Sequence, residues 1–195
     1  MSSDKDLQDK MSAMGLTNHS FELFWSALEH VNFKKGKQVI RSGRIEHHLY
    51  FILQGIARVY LKSEKEITFC FCAETDVILS YNSYFNETPG YENIELLENS
   101  SLLKISHKRV KELCSEDIKI ANFFNKIVGL ELVKTEERLI SAQSRTASER
   151  YADLLSSNPS IVQRVQLGYI ASYLGISQVT LSRIRGKQKY PSAIF

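Results

Sequence analysis

Residues 166–187, QLGYIASYLGISQVTLSRIRGK, decide the fold of the C-terminal part of the chain. Their apolar positions follow the spacing expected for the inward faces of two short helices. Between these faces lies Gly175, which allows a sharp turn that a residue with a Cβ resists. Ser177 comes two residues later, where its side-chain oxygen can cap the second helix. The stretch therefore predicts a helix-turn-helix whose inward residues are Ile170, Ala171, Leu174, Leu181 and Ile184.

The second helix of such a motif commonly lies in the major groove of DNA. Arg183 is the strongest candidate for reading a base, because an arginine can bond the O6 and N7 atoms of guanine together. We predict that Gln178 reads adenine or contacts a phosphate, and that Val179 packs on a thymine methyl group. The predicted DNA-binding residues are Gln178, Val179, Ser182, Arg183, Ser177, Thr180, Tyr169, Gln166, Arg185 and Lys187.

Most of the other residues in this set are predicted to contact the DNA backbone. Gln166 and Tyr169 lie at the start of the first helix and are candidates for phosphate contacts. The hydroxyl groups predicted to contact phosphates or bridging waters are those of Ser177, Thr180 and Ser182. The basic side chains expected to add salt-dependent attraction are Arg164, Arg185 and Lys187. The alternatives are that Tyr169 only packs, that Thr180 only stabilises the helix start, and that Arg183 is an ordinary solvated arginine.

The charge distribution distinguishes a DNA-binding unit from an ordinary pair of core helices with the same pattern of small and apolar residues. Residues 141–195 carry seven basic and two acidic side chains, a net charge of +5. The whole chain carries +3, so the first 140 residues carry −2. A basic unit joined to a mildly acidic one is typical of a domain that contacts phosphates.

The composition and the start of the chain indicate a cytoplasmic protein without a membrane partner. No apolar run approaches the roughly 20 residues that span a bilayer, and the polar start lacks the apolar core of a signal peptide. The three cysteines, Cys70, Cys72 and Cys114, are an odd number and predict no disulfide. The length allows one large domain or two small ones.

Metal binding and catalysis have little basis in the sequence. Cys70 and Cys72 share one face of a predicted strand, and His47 and His48 lie in a predicted turn. An iron–sulfur cluster usually needs four ligands, so we expect two buried thiols, no metal and no cofactor, and we assign no cofactor-binding residue. Metal binding or thiol redox sensing is the alternative. The sequence contains no nucleophile elbow, phosphate-binding loop or zinc-protease helix, so we expect no enzyme.

The segments before residue 106 predict a β-roll preceded by a short helix over Phe21–Leu28. Short segments with a period near two follow this helix and are separated by turn residues. A compact sandwich or roll is the expected arrangement of such strands. The predicted strands cover residues 39–40, 49–53, 56–61, 67–71, 77–78, 94–97 and 102–105.

The segments after residue 106 predict helices. One covers residues 107–114 and a long one covers about 117–143, while Thr146 and Glu149 fit a capping box at the start of the next. The chain is thus predicted to be an α+β protein with three parts: a sensor domain (1–116), a long helix (117–143) and a DNA-binding domain (144–195).

The long helix is predicted to form a dimer interface. A near-heptad apolar stripe runs along it, and helix-turn-helix proteins usually bind two half-sites about one DNA turn apart. The alternative is a helix that packs only on its own β-roll. The residues predicted to form the dimer interface are Ile120, Phe123, Ile127 and Leu130.

The order of these elements resembles the Crp/Fnr family of bacterial transcription regulators over nearly the whole chain. The resemblance rests on FKKGKQ (33–38), LYFILQGIARVY (49–60), the long helix, SERY (148–151) and IASYLGISQVTLSRI (170–184). It implies a cyclic-nucleotide-binding-like β-roll, a homodimer and a winged-helix-like module that binds a near-palindromic site in double-stranded DNA. It also implies RNA polymerase as a further partner, and a guanine contact for Arg183.

Two departures from the family pattern limit this resemblance. Cyclic-nucleotide sensors of the family hold the phosphate with a downstream arginine, whereas residues 80–95 contain Glu87, Glu92 and Glu95 and no Lys or Arg. A buried phosphate needs a charge-assisted donor or free amides, so we expect an effector other than cyclic AMP. This effector is an unidentified small molecule in the roll or a partner protein, unless there is none. Only 189–195 follow the recognition helix, so the wing is expected to be reduced or missing.

The sequence therefore predicts a homodimeric DNA-binding transcription regulator. The alternative is a small-ligand receptor whose β-roll is the working part and whose DNA-binding domain is vestigial. A phosphate-holding arginine between residues 77 and 100 would favour that alternative, and the sequence has none there.

Overall fold

A computed structural model describes the backbone of residues 2–189 and the side chains of residues 4–186. The side chain of Lys187 and the predicted site of the wing after Lys189 lie outside these ranges. The helices are α1 (Ser2–Ala13), α2 (Asn18–Ser26), α3 (His107–Glu116), α4 (Ile118–Ser144), α5 (Ala147–Ser157), α6 (Pro159–Arg164), α7 (Leu167–Tyr173) and α8 (Gln178–Lys189). The strands are β1 (Glu29–Phe33), β2 (Gln38–Ile40), β3 (His48–Gln54), β4 (Ala57–Lys62), β5 (Glu66–Cys72), β6 (Val77–Ile78), β7 (Asn93–Leu96) and β8 (Ser100–Ser106).

The eight strands form two antiparallel four-stranded sheets, in the orders β1-β8-β3-β6 and β2-β7-β4-β5. Each strand predicted from the sequence is present, with ends that differ by one or two residues. β1 was not predicted, because Glu29, His30 and Asn32 interrupt its apolar pattern. It pairs along its whole length with β8, from Glu29 opposite Lys104 to Phe33 opposite Ser100.

β3 is buried on both faces and divides the core of the N-terminal domain in two. Tyr50 and Ile52 face the second sheet, whereas Phe51 and Leu53 face the helices. A strand covered on both sides reads as a continuous apolar run, as LYFIL at 49–53 does. The turn after it requires Gly55, which has φ +125°, and a Cβ there would lie 2.1 Å from Ser100 Oγ.

The helical side of this core is centred on Phe24 of α2, which is fully buried. Its ring makes edge contacts with Phe51, Phe123 and Phe124, at centroid distances of 5.9, 5.6 and 5.6 Å. α2 starts at Asn18, three residues before the predicted helix. α1 was not predicted, because its sequence is mostly polar and only Leu7 and Met11 turn one face inward.

The N-terminal half of α4 packs on its own domain, which corrects the predicted dimer interface. Ile120, Phe123 and Ile127 are 0%, 1% and 7% exposed and belong to the core around Phe24. A partner subunit cannot reach side chains that this chain already covers, so the prediction was wrong for these three. Leu130, the fourth predicted residue, is 45% exposed.

The C-terminal half of α4 presents a different apolar stripe to the surface. Its members recur at intervals of seven residues in two adjacent rows, which is the spacing of a coiled-coil seam. They are exposed by 49–63% in the described structure. We refer to Leu132, Val133, Leu139 and Ile140 as the α4 seam.

Candidate nucleic-acid interface

α7 and α8 form the predicted helix-turn-helix. α7 ends in a turn in which the Ile176 amide donates to the Ala171 carbonyl oxygen over 3.0 Å. Gly175 has φ +66°, and a Cβ added there would meet no atom within 4 Å. The left-handed backbone conformation, and not a lack of space, therefore requires glycine at this position.

The start of α8 is capped as the sequence predicts. The Thr180 amide donates to Ser177 Oγ over 3.1 Å, which satisfies one of the free amides of the first turn. The Ser177 and Thr180 hydroxyl oxygens are also 2.9 Å apart. Both hydroxyl groups are thus partly engaged within the helix start, while both residues remain exposed.

The five predicted inward residues all lie in the core of the C-terminal domain. Ile170, Ala171, Leu174, Leu181 and Ile184 are each less than one-tenth exposed. They pack with buried residues of α5 and α6 and with Val165, namely Tyr151, Leu154, Ile161 and Val165. α5 begins at the predicted capping box, in which the Thr146 amide donates to Glu149 Oε2 over 2.8 Å.

The outward face of α8 is free. Gln178, Val179, Ser182 and Arg183 are all exposed, Val179 by 61%. Their spacing places them on one face, opposite the anchors Leu181 and Ile184. Within the described part of the chain no acidic side chain pairs with Arg183. This face therefore presents an arginine, an amide, a hydroxyl and a methyl surface to solvent.

Gln166 and Arg185 flank this face. Gln166 is exposed at the N-terminus of α7, and Arg185 is half-buried near the end of α8. Gln178 lies close to the start of α7, since a Cβ on Gly168 would be 3.7 Å from Gln178 Oε1. The N-terminal ends of both helices thus meet at one edge of the module.

Two residues predicted to contact the DNA backbone, Arg164 and Tyr169, instead contact the N-terminal domain. Arg164 donates two hydrogen bonds to Glu74, at 2.9 and 2.7 Å, and a third to Glu98. Partial burial opposes ionisation of Glu74, but hydrogen bonds from Arg164 and from the Gly55 amide outweigh it and lower the pKa to about 2. The Tyr169 ring lies against a buried arginine. This contact corresponds to the alternative stated for Tyr169, that its side chain packs.

That arginine, Arg58, is 1% exposed and stands between the two domains. Its guanidinium carbon lies 4.3 Å from the ring centroid of Tyr60 and 4.0 Å from that of Tyr169. Its nitrogens donate to Thr68 Oγ1, Glu66 and Glu95 over 2.8, 2.9 and 3.0 Å. Sequence analysis missed this residue, because an arginine in a strand is expected to face solvent. We call the group Arg58, Tyr60, Thr68, Glu66, Glu95 and Tyr169 the Arg58 cluster.

α7 also forms direct contacts with β5. Ser172 Oγ accepts a hydrogen bond from the Thr68 amide over 2.9 Å and donates one to the Glu66 carbonyl oxygen over 3.0 Å. Beside it, the rings of Phe71 and Tyr173 lie 5.5 Å apart. The first helix of the helix-turn-helix is therefore docked on an edge strand of the N-terminal domain.

Cys70 and Cys72 lie on β5. Cys72 is buried, Cys70 is half-buried, and both thiols are free. The neighbouring Cys70 thiol and then burial raise the pKa of Cys72 above its ordinary value. No group of three or more potential metal ligands occurs among the residues whose side chains are described. Likewise, no helix within residues 2–189 is both long enough and apolar enough to cross a membrane.

Comparison with known proteins finds a related domain and a similar overall fold. Residues 30–117 match the family model of the cyclic nucleotide-binding domain. No curated protein sequence matches the chain significantly. Among solved structures, FixK2 from Bradyrhizobium japonicum is similar at 18% identity, covering 84% of this chain and 85% of that chain with a TM-score of 0.73.

Two further structures are similar to the same extent. One is the c-di-GMP-responsive global regulator CLP from Xanthomonas campestris, at 15% identity, with 90% and 94% coverage and a TM-score of 0.70. The other is described as a transcriptional regulator of the Crp/Fnr family from Eubacterium rectale, at 20% identity, with 89% and 84% coverage and a TM-score of 0.70. Residues 30–117 thus match a cyclic nucleotide-binding domain, and the chain has the fold of structures that include a Crp/Fnr-family regulator.

Proposed function

We propose that this protein is a cytoplasmic transcription regulator that binds a near-palindromic site in double-stranded DNA as a homodimer. The observation that carries the proposal is the outward face of α8, where Gln178, Val179, Ser182 and Arg183 are exposed on a capped helix. In this proposal residues 1–116 sense a signal, residues 117–143 dimerise and residues 144–195 bind DNA.

The proposed base contacts follow from the chemistry of that face. Arg183 would donate to guanine O6 and N7, Gln178 would read adenine or contact a phosphate, and Val179 would pack on a thymine methyl group. The proposed phosphate contacts are Gln166, Ser177, Thr180, Ser182, Arg185 and Lys187. We assign Tyr169 and Arg164 primarily to the contact between the domains, because Arg58, Glu74 and Glu98 already engage them.

The α4 seam supports the proposed homodimer. A long helix with exposed leucine and isoleucine side chains at heptad spacing gains free energy when a second copy covers it. A dimer would also present two recognition helices to the two halves of one site. RNA polymerase is proposed as a further partner, in keeping with the regulator fold.

Control by cyclic AMP is not part of the proposal. Glu92, in the region that would face a cyclic phosphate, is 5% exposed, and its Oε1 has no hydrogen-bond partner among the described residues. Glu95 is bound to Arg58, and Glu87 accepts a hydrogen bond from Lys111 over 2.7 Å. A buried carboxylate repels a phosphate, so the signal is proposed to be another small molecule or a protein.

Selection from a randomised DNA pool at two salt concentrations tests the proposal. We expect an inverted repeat, and we expect Arg183→Ala to relax one position per half-site by about 1–3 kcal/mol. Arg185→Ala is the matched control, because losing a phosphate contact weakens binding to all sequences alike and reduces the salt slope by about one.

The second candidate function, a receptor with a vestigial DNA-binding domain, predicts a different result. It predicts weak, salt-driven binding without sequence enrichment, and equal effects of the two substitutions. Enrichment of a single half-site by a monomer would refute the homodimer while leaving DNA binding in place.

A further inference from the structure

A cavity of about 180 Å³ lies between α1, the turn before β6 and the middle of α4. It is outside the β-roll, on the helical side of the sheet that contains β3. Apolar side chains dominate its lining, and the innermost belong to the domain core. They include Leu7, Met11, Phe51, Val77, Phe123 and Ile127.

The mouth of the cavity carries four charged groups that balance one another. Lys10 and Lys134 each place their ammonium 3.6 Å from Asp76 Oδ1, and Lys134 also bonds Glu131 over 2.6 Å. Lys10 additionally donates to the Thr75 carbonyl oxygen over 2.9 Å. Because two cations face two carboxylates, neither an anionic nor a cationic ligand would find an unmatched charge there.

We infer that this cavity is a binding site for a small uncharged apolar molecule, of about seven to ten non-hydrogen atoms. An apolar cavity of about 150 Å³ in another protein stays dry and binds benzene, so the present volume suits a ligand slightly larger than benzene. A polar ligand inside the cavity would lose its hydrogen bonds to water without finding partners among the apolar side chains there.

The position of the cavity lets a bound ligand act on the elements that join the two domains. Its walls include Phe123 and Ile127 of α4, the helix that continues into the α4 seam. They also include Thr75 and Asp76, which directly follow Glu74, the carboxylate that holds Arg164. Binding at this site does not depend on the proposed DNA-binding function, and the experiment that tests it therefore uses no DNA.

The test is NMR of the full-length protein labelled with ¹³C at the methionine methyl groups, titrated with toluene. The chain has three methionines, and two of them, Met11 and Met14, line the cavity. We expect the Met11 and Met14 signals to shift saturably, with a Kd on the order of 1 mM. Unchanged signals up to the solubility limit of toluene would overturn the inference.

A filled cavity and a charged ligand serve as controls. Val77 lines the cavity on a strand, opposite Phe51, so Val77→Phe should fill the space and weaken toluene binding at least tenfold, whereas Val77→Ile should not. Hexanoate should bind at least tenfold more weakly than toluene. Tighter binding of hexanoate would instead show a site for anions, and unchanged toluene binding by a folded Val77→Phe variant would place toluene elsewhere.

Discussion

Replacing Arg58 with methionine should destabilise the N-terminal domain and weaken its contact with α7. The substitution keeps most of the side-chain volume but leaves Glu95, whose side chain is only 19% exposed, without its cation. It also removes the hydrogen bond to Thr68 and the stacked contact with Tyr169. Removing one partner of a buried ion pair typically costs 3–5 kcal/mol, and each cation–π contact adds roughly 0.5–1 kcal/mol. Since Glu66 is 46% exposed and can regain water, we expect a loss of about 3–4 kcal/mol.

Urea unfolding followed by two signals measures this loss. The single tryptophan, Trp25, reports on the N-terminal domain, whereas far-ultraviolet circular dichroism reports on all helices and strands. In the native protein the two transitions should coincide. In Arg58→Met both should shift to lower urea, because most of the lost contacts lie in the domain that contains Trp25. Arg58→Lys, which keeps the charge but loses the planar fork, should show a smaller loss. A loss below about 0.5 kcal/mol would refute a stabilising role for the ion pairs and ring contacts of the Arg58 cluster.

Four further predictions concern other parts of the chain. Leu139→Asp places a charge in the α4 seam and should shift the protein to a monomer in sedimentation velocity, whereas an unchanged dimer would exclude this seam. Gly175→Ala should destabilise the C-terminal domain by roughly 1–2 kcal/mol in urea unfolding, because alanine resists φ +66°. Thr146→Ala should cost about 1 kcal/mol through the lost capping box, and Thr146→Ser should cost less. The pKa of Glu74 in the folded protein lies below its ordinary value. Its contribution to the free energy of unfolding is therefore complete above about pH 4.5 and is lost as pH falls towards 2. After a discount for solvent screening, native protein should exceed Glu74→Gln in stability by roughly 1 kcal/mol at pH 6, and the difference should vanish near pH 2.

Local patterns in the sequence predicted the helix-turn-helix closely. The anchors, the turn at Gly175 and the caps at Ser177 and Thr146 depend on contacts within a few residues, and the structure contains each of them. The strands were also predictable, because alternation and turn residues are local signals. β1 was missed, since its pairing with β8 joins segments about 70 residues apart and leaves no local trace.

Contacts between distant segments were not predictable in the same way. An apolar stripe on α4 shows that something covers the helix, but it does not show whether the cover is the same chain or another. Ile120, Phe123 and Ile127 therefore looked like a dimer seam although their own domain buries them. Arg58 illustrates the opposite error, because the carboxylates and rings that make its burial tolerable come from separate strands and from α7.

The core of the C-terminal domain is closed by residues from outside that domain. Ile56 is fully buried in this core, and Phe71, Ala73 and Leu97 pack against it, although all four belong to the β-roll. A segment of some fifty residues buries little apolar surface by itself and depends on every such contribution. The C-terminal domain of this protein is consequently not interchangeable with the corresponding domain of another protein. A chimera that joins it to another N-terminal domain would need the four β-roll residues that close its core as well. Homologues that change one side of this contact would be expected to change the other.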